Sequence, residues 1–314
     1  MPPSPDPVLL LHGQPGSARD WDLVHAAVAG RARTIAVDRP GWDRRTRPLD
    51  LAGNARAAVS LLDTHGIEQA VVVAHSLAGA IAAWLAVESP QRVSGLVLAA
   101  PSANCESLNR LDELLATPIL GSALASSALG ALGASLAVPP ARRRLARRLG
   151  LEESYLRRYA STLLNPLSWH SFVVEQQMLV RELPRLEARL GAITAPTVVV
   201  TGSSDRIVTP ASARRLASQI PGARLVTLSG ATHLLVQEKP AELADLILAM
   251  AEGSPSGSSP GPGSGTAGVG GSSGAGTVAG SAGSAGDPGS GTAGLTGASG
   301  TAGVTGASGC GTSA

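Results

Sequence analysis

The chain is poor in cysteine, in aromatic residues and in lysine. Its 314 residues include only Cys105 and Cys310, too few for a disulfide framework. Cys310 also falls in a segment too poor in apolar residues to fold, so a fixed bridge between the two is not expected. No uninterrupted run of 18 apolar residues occurs, which argues against a membrane span. The first seven residues, MPPSPDP, lack a basic region followed by an apolar one and do not read as a secretory leader, so the cytoplasm is the expected location. Aromatic residues make up 2% of the chain against 44% hydrophobic overall, so Ala, Leu, Val and Gly must supply most of a sizeable core. Lys239 is the single lysine; the other basic residues are all arginine. The net charge is +2, which gives no reason to expect a nucleic-acid or acidic-polymer partner, and no membrane partner is expected either. The arginines do cluster locally, at Arg142, Arg143, Arg144, Arg147 and Arg148 with Arg157 and Arg158 following, and this spacing reads as a solvated helix face. No histidine pair has metal-ligand spacing such as HExxH, so neither metal nor cofactor is implied.

What is present is organised in two parts. From Gly253 onward the composition changes to Gly, Ser, Ala, Thr and Pro, with the nine-residue unit at 291–299 recurring at 300–308. Such a segment cannot bury enough apolar area to offset the entropy of ordering it, and 253–314 reads as a disordered tail. Before it, short apolar runs alternate with helical patterns. The runs are 8–11, 34–37, 70–73, 95–98, 197–201 and 224–228, each of a length that suits a strand buried on both faces. Helical patterns at 18–28, 52–65, 77–89, 210–219 and 239–252 lie between them. This alternation predicts an α/β fold with a mostly parallel sheet of at least six strands and helices on both faces. Residues 104–191 break the pattern with helical stretches alone, at 106–116, 121–136, 140–149, 151–164 and 168–190. The division is therefore 1–103 and 192–252 for the core, interrupted by a helical insertion that belongs above the C-terminal edge of the strands, where ligands of such sheets bind.

Three loops at that edge carry reactive groups. Ala74-His75-Ser76-Leu77-Ala78-Gly79 joins the third apolar run to a helix. A serine on so tight a strand-to-helix turn exposes its hydroxyl in front of a helix N-terminus, whose free N–H groups suit a developing oxyanion. A helix-capping serine is the plain alternative. His12-Gly13-Gln14-Pro15-Gly16-Ser17 follows the first run and can aim the Gln14 N–H at the same space, with the Leu77 N–H as second donor. A phosphate loop is the poorer reading, because no Gly-Lys-Ser/Thr follows. Asp205 and His233 come just after the fifth and sixth runs, again at the C-terminal edge. Their chain order, Ser, Asp, His, suits a base and its orienting carboxylate on this kind of sheet.

These segments resemble the α/β-hydrolase superfamily, in the branch with a helical cap. The marks are HGQPGS at 12–17, DRPGWD at 38–43, AHSLAG at 74–79, GSSDRIVTP at 202–210 and GATHLLVQEKP at 230–240, and the match covers residues 7–252. The resemblance implies Ser76 as nucleophile, Asp205 as acid and His233 as base, with Gln14 and Leu77 forming the oxyanion hole. Two departures stand out. Ala74 and Ala78 replace the glycines of G-x-S-x-G, and Asp43 replaces the second glycine of D-x-P-G-x-G.

The leading expectation is a serine hydrolase cleaving an ester or similar acyl bond of a small-molecule substrate. Serine at position 76 argues against the haloalkane dehalogenase and epoxide hydrolase branches, which place Asp there. Perhydrolysis, C–C bond hydrolysis and acyl transfer use the same three residues, and a non-catalytic relative that binds a small ligand is the alternative of another class. In the insertion, Leu108, Leu111, Trp169, Phe172 and Met178 indicate an apolar pocket, with His75, Trp169, His170 and Phe172 as candidate substrate contacts.

Overall fold

A computed structural model describes residues 4–253. Six strands, β1 (Val8–Leu11), β2 (Thr34–Ala36), β3 (Ala70–His75), β4 (Val93–Ala99), β5 (Thr197–Gly202) and β6 (Arg224–Leu228), form one sheet in the order β2-β1-β3-β4-β5-β6. Every neighbouring pair is parallel. β1 and β5 are buried along their whole length, and β3 is until its last residue. That is why their sequences are unbroken apolar runs rather than alternations.

Because successive side chains point to opposite faces, each strand feeds two cores. Leu9, Leu11, Val72, Ala74, Leu96, Leu98 and Val199 face helices α2 (Leu51–Thr64), α3 (Ala78–Glu88) and α9 (Pro210–Gln219). Val8, Leu10, Val71, Val73, Val97 and Val200 face α1 (Asp22–Val28), α10 (Leu235–Glu238) and α11 (Pro240–Ala251). Small residues on α3 let it lie against the sheet, since Ala78, Ala80, Ala82 and Ala83 are all fully buried.

Between β4 and β5 come five helices, α4 (Arg110–Leu115), α5 (Leu120–Ala137), α6 (Pro139–Leu149), α7 (Glu153–Leu163) and α8 (Pro166–Glu187). α8 ties the insertion to the core, because Leu179, Leu183 and Leu186 recur on one helical face and pack into the α2–α3 side. One expectation needs amending: α5 is long and apolar enough, by length and composition, to cross a membrane, with Ser and Gly scattered among its Ala and Leu. The arginine cluster is a solvated face at Arg143, Arg144, Arg147 and Arg148, with Arg142 the exception. Arg142 is buried, bonding the Leu136 carbonyl (3.1 Å) and Glu153 (2.9 Å), so it satisfies a carbonyl at the end of α5 while joining α6 to α7. The tail expected from 253 to 314 lies, apart from Gly253, outside the described residues, as does Cys310.

Candidate active site

Ser76 sits between the end of β3 and the first turn of α3 with φ +55, a left-handed conformation rare for a residue with a side chain. Strain of that kind costs on the order of 1–3 kcal/mol and persists only where the surroundings enforce it. Here they do: the Ser76 N–H donates to Ala99 O (3.0 Å), and its carbonyl accepts from Gly79 (2.8 Å) and Ser102 (3.0 Å). The helical ladder thus starts at Gly79, leaving the N–H groups of Leu77 and Ala78 ahead of it. The glycine requirement has moved by one residue. A Cβ on Gly79 would meet the Pro101 Cβ at 2.5 Å, whereas Ala74 and Ala78 fit with no exposure at all. Gly13, on the loop after β1, is also closely hemmed in, since a Cβ there would lie 3.0 Å from the Ser76 Cβ.

The imidazole of His233 lies between the serine and a carboxylate. Its Nε2 is 3.0 Å from the Ser76 Oγ and its Nδ1 is 2.9 Å from Asp205 Oδ2. The Asp205 side chain has no exposure, and its other oxygen accepts the N–H groups of Ile207 (2.8 Å) and Val208 (3.0 Å). Those two donors hold the carboxyl group in place and leave Oδ2 for the imidazole. Gly202 makes the approach possible, because a Cβ there would fall 2.3 Å from the Ala231 carbonyl oxygen of the His233 loop. His75 braces that loop from the other side through Nε2 and the His233 carbonyl (2.9 Å). Burial, with His233 nearby, pushes the His75 pKa down to about 3, so its ring is neutral and donates this bond.

Behind the loop carrying Gln14 lies a buried ion pair. Arg39 bonds both oxygens of Glu175 on α8, and each side chain is 2% exposed. The same guanidinium donates to the carbonyls of His12 (2.8 Å) and Gly13 (3.1 Å), and the Arg39 N–H donates to His12 Nε2 (3.0 Å). His12 Nδ1 therefore carries the proton given to Gly13 O (2.8 Å), and burial beside Arg39 holds its pKa well below the usual value. Asp43 closes the next loop. Partial burial raises its pKa, but bonds from the N–H groups of Thr46 and Arg45 outweigh that and lower it.

Ser76 opens into a chamber of ≈ 270 Å³ beneath the insertion. Gln14, Leu77, His75 and His233 line it, as do Leu108 and Phe172. Trp169, His170, Leu111 and Met178 do not. Helix phase explains the split: Phe172, Gln176 and Leu179 follow one face of α8, while His170 lies about 200° around the helix from Phe172 and is exposed. Trp169 packs instead over Gly130 of α5 and donates its indole N–H to Leu163 O. Sequence reasoning missed Asp20, Asp112, Tyr155, Tyr159, Gln176 and Gln237, which also line the chamber. A signal existed for three of them. The two tyrosines and Phe172 are the only aromatics besides tryptophan, and Gln176 interrupts an otherwise apolar stripe.

A fold of this kind, with serine, imidazole and carboxylate aligned at the strand ends beneath a helical insertion, defines a hydrolase. The alpha/beta hydrolase family model matches residues 8–246, and the chain belongs to that family. It is 28% identical over 226 residues to a 2-hydroxy-6-oxo-6-phenylhexa-2,4-dienoate hydrolase of Burkholderia cepacia, covering 69% of this chain and 78% of that one. It is 25% identical over 244 residues to a 2-hydroxy-6-oxononadienedioate/2-hydroxy-6-oxononatrienedioate hydrolase of Dechloromonas aromatica, covering 72% and 80%. A hydrolase structure from Pseudomonas aeruginosa superimposes with a TM-score of 0.60 at 26% identity, covering 78% of this chain and 89% of that one.

Proposed function

We propose that this hydrolase cleaves an ester or related acyl bond of a small, largely apolar substrate through an acyl-enzyme on Ser76. The observation that carries the reading is the unbroken line of hydrogen bonds from the Ser76 Oγ through the His233 ring to Asp205. In this mechanism His233 Nε2 takes the hydroxyl proton as the Ser76 Oγ bonds the substrate carbonyl carbon. The oxyanion draws on the N–H groups of Gln14 and Leu77, each donor worth roughly 10²–10³ in rate. Collapse of the tetrahedral intermediate breaks the bond to the leaving oxygen, which receives the proton from His233. Water then attacks the acyl group by the same route, returning its proton through His233 and freeing Ser76. Asp205 holds Nδ1–H toward itself throughout, which leaves Nε2 free to take the serine proton at the start of each step and stabilises the ring while it carries that proton. No cofactor or metal enters this scheme.

A second reading, hydrolysis of a C–C bond next to a carbonyl, is favoured by the names of the relatives at 25–28% identity. It uses the same three residues and differs in its carbon leaving group.

The test is covalent labelling with a fluorophosphonate, followed by turnover of p-nitrophenyl esters of graded chain length and of a 2-hydroxy-6-oxodienoate. Labelling lost in Ser76→Ala, with ester hydrolysis best for short or medium acyl chains, is the expected result. Faster turnover of the dienoate than of any ester would select the second reading. A folded wild-type protein that neither labels nor turns over any of these compounds would remove both.

A further inference from the structure

The chamber wall away from the Ser76–His233 line is built from hydrogen-bond acceptors, and a relay of amides fixes their orientation. Asp112 Oδ2 accepts the Asn109 N–H (2.8 Å), and Oδ1 accepts from Gln176 Nε2 (3.0 Å). With its amide nitrogen committed to Asp112, Gln176 offers its oxygen to Gln14, whose Nε2 donates to it at 2.8 Å. The remaining atom of that amide, Gln14 Oε1, is buried without a partner. Gln237 repeats the arrangement: its Nε2 donates to the Asp20 carbonyl (3.1 Å), and its Oε1 is likewise buried and unpartnered. Buried acceptors left without donors favour a ligand that supplies them and disfavour one that cannot.

Charge points the same way. The ionisable side chains lining the chamber are Asp20, Asp112, Tyr155, Tyr159, His75 and His233. The bonds that the two carboxyl groups make are to uncharged donors, the N–H of Ser17 (3.0 Å) for Asp20 and the Asn109 and Gln176 groups for Asp112. His75 is neutral, so it adds no compensating positive charge.

We propose that this wall is a specificity site for the non-reacting end of the substrate, taking an acyl compound whose tail bears N–H donors, an ammonium or primary amide, and rejecting one whose tail ends in a carboxylate. A carboxylate tail would set acceptor-only oxygens against Gln14 and Gln237 and a like charge against Asp112 and, above about pH 7 where its buried carboxyl ionises, against Asp20 as well. At the effective dielectric of a partly buried site, such a mismatch separates the two tails by about tenfold or more. The turnover it governs rests on the acyl-enzyme reading of Ser76, but the binding preference does not.

The experiment compares three p-nitrophenyl esters of matched chain length, ending in ammonium, primary amide and carboxylate. In parallel, calorimetry measures binding of the three corresponding free tails, as methyl esters, to Ser76→Ala. The expected result is kcat/KM at least about tenfold lower for the carboxylate than for the amide, with the same order in binding. The ratio should narrow threefold or more in Asp20→Asn and Asp112→Asn. Equal kcat/KM for carboxylate and amide in the wild type overturns the proposal, as does a ratio unchanged in both variants. If no ester is turned over, the acyl-enzyme reading fails separately, and the binding ratio decides: a value near one overturns the proposal, and a tenfold preference upholds it.

Discussion

The sheet edge and the helical insertion both contribute to the chamber, but they place their side chains by different means. At the edge, Ser76, Asp205 and His233 sit within a few residues of a strand end, and backbone contacts aim them. The left-handed Ser76, the two N–H groups on Asp205 Oδ1 and the close approach of Gly202 to the His233 loop leave little freedom. In the insertion, position depends on how far each helix is rotated. Two residues along the helix separate a side chain lining the chamber from one in solvent, as Phe172 and His170 show. The hydrogen-bonded line therefore belongs to the edge, while the wall facing the rest of the chamber draws on both regions.

The largest effect should come from breaking the edge without moving it. Asp205→Asn keeps an oxygen for the Ile207 and Val208 N–H groups but presents an amide N–H₂ to His233 Nδ1. The ring must then accept at Nδ1, which puts its proton on Nε2, pointing at the serine that needs a base. Activity on a p-nitrophenyl ester should fall by roughly 10⁴, with KM and the unfolding midpoint nearly unchanged. A loss of tenfold or less would mean that the carboxylate is not what orients His233.

Next comes the tie between the two regions, Arg39 with Glu175. Glu175→Leu strands a buried guanidinium and should cost about 3–5 kcal/mol in urea unfolding. The double variant Arg39→Met with Glu175→Leu should recover much of that, though the carbonyls of His12 and Gly13 lose donors and the loop bearing Gln14 loses its brace. In the double variant kcat should therefore drop more than stability does. Recovery of both together would show that the pair serves only stability.

How much of this was legible follows the same division. Apolar run lengths and strand–helix alternation were enough to place all six strands, since doubly buried strands leave no periodicity to misread. The edge residues could be named because topology brings strand C-terminal ends together whatever fills the core. The insertion's helices were equally visible, but not their rotation. Trp169 and His170 looked suited to substrate by residue type, yet one packs over Gly130 and the other faces solvent. Asp20 and Asp112 gave no signal, because an acidic residue in the first turn of a helix is ordinary dipole compensation. Only tertiary packing turns them into chamber walls.

Asp20 allows a smaller test from the edge side. Burial pushes its pKa up from 3.8 to about 7, outweighing the Ser17 N–H bond that favours the ionised form. The folded protein therefore holds a proton that the unfolded chain releases near pH 4. Stability from this group is fully present below that pH, falls as pH rises toward 7, and is flat beyond. Relative to Asp20→Asn, the wild type should lose about 2–3 kcal/mol between pH 4 and pH 8, somewhat less than the full linkage because the residue is partly exposed. A difference between the two proteins that does not change with pH would mean that the carboxyl is solvated in the folded state.

The smallest effects come from α8 itself and separate phase from residue type. Phe172 and His170 stand two positions apart, and both looked equally suited to contact a substrate. Phe172→Ala removes an apolar wall of the chamber and should raise KM for a medium-chain ester roughly tenfold, the cost of a lost hydrophobic contact in a binding site. His170→Ala removes an exposed ring about 200° away and should change kcat/KM by less than about twofold. Reversal of that ranking would mean that α8 is rotated during turnover, and the insertion would then be a moving part rather than a fixed wall. With the ranking as expected, substrate selectivity on α8 follows the stripe Phe172–Gln176–Leu179, in which Gln176 is tied to the edge through Gln14.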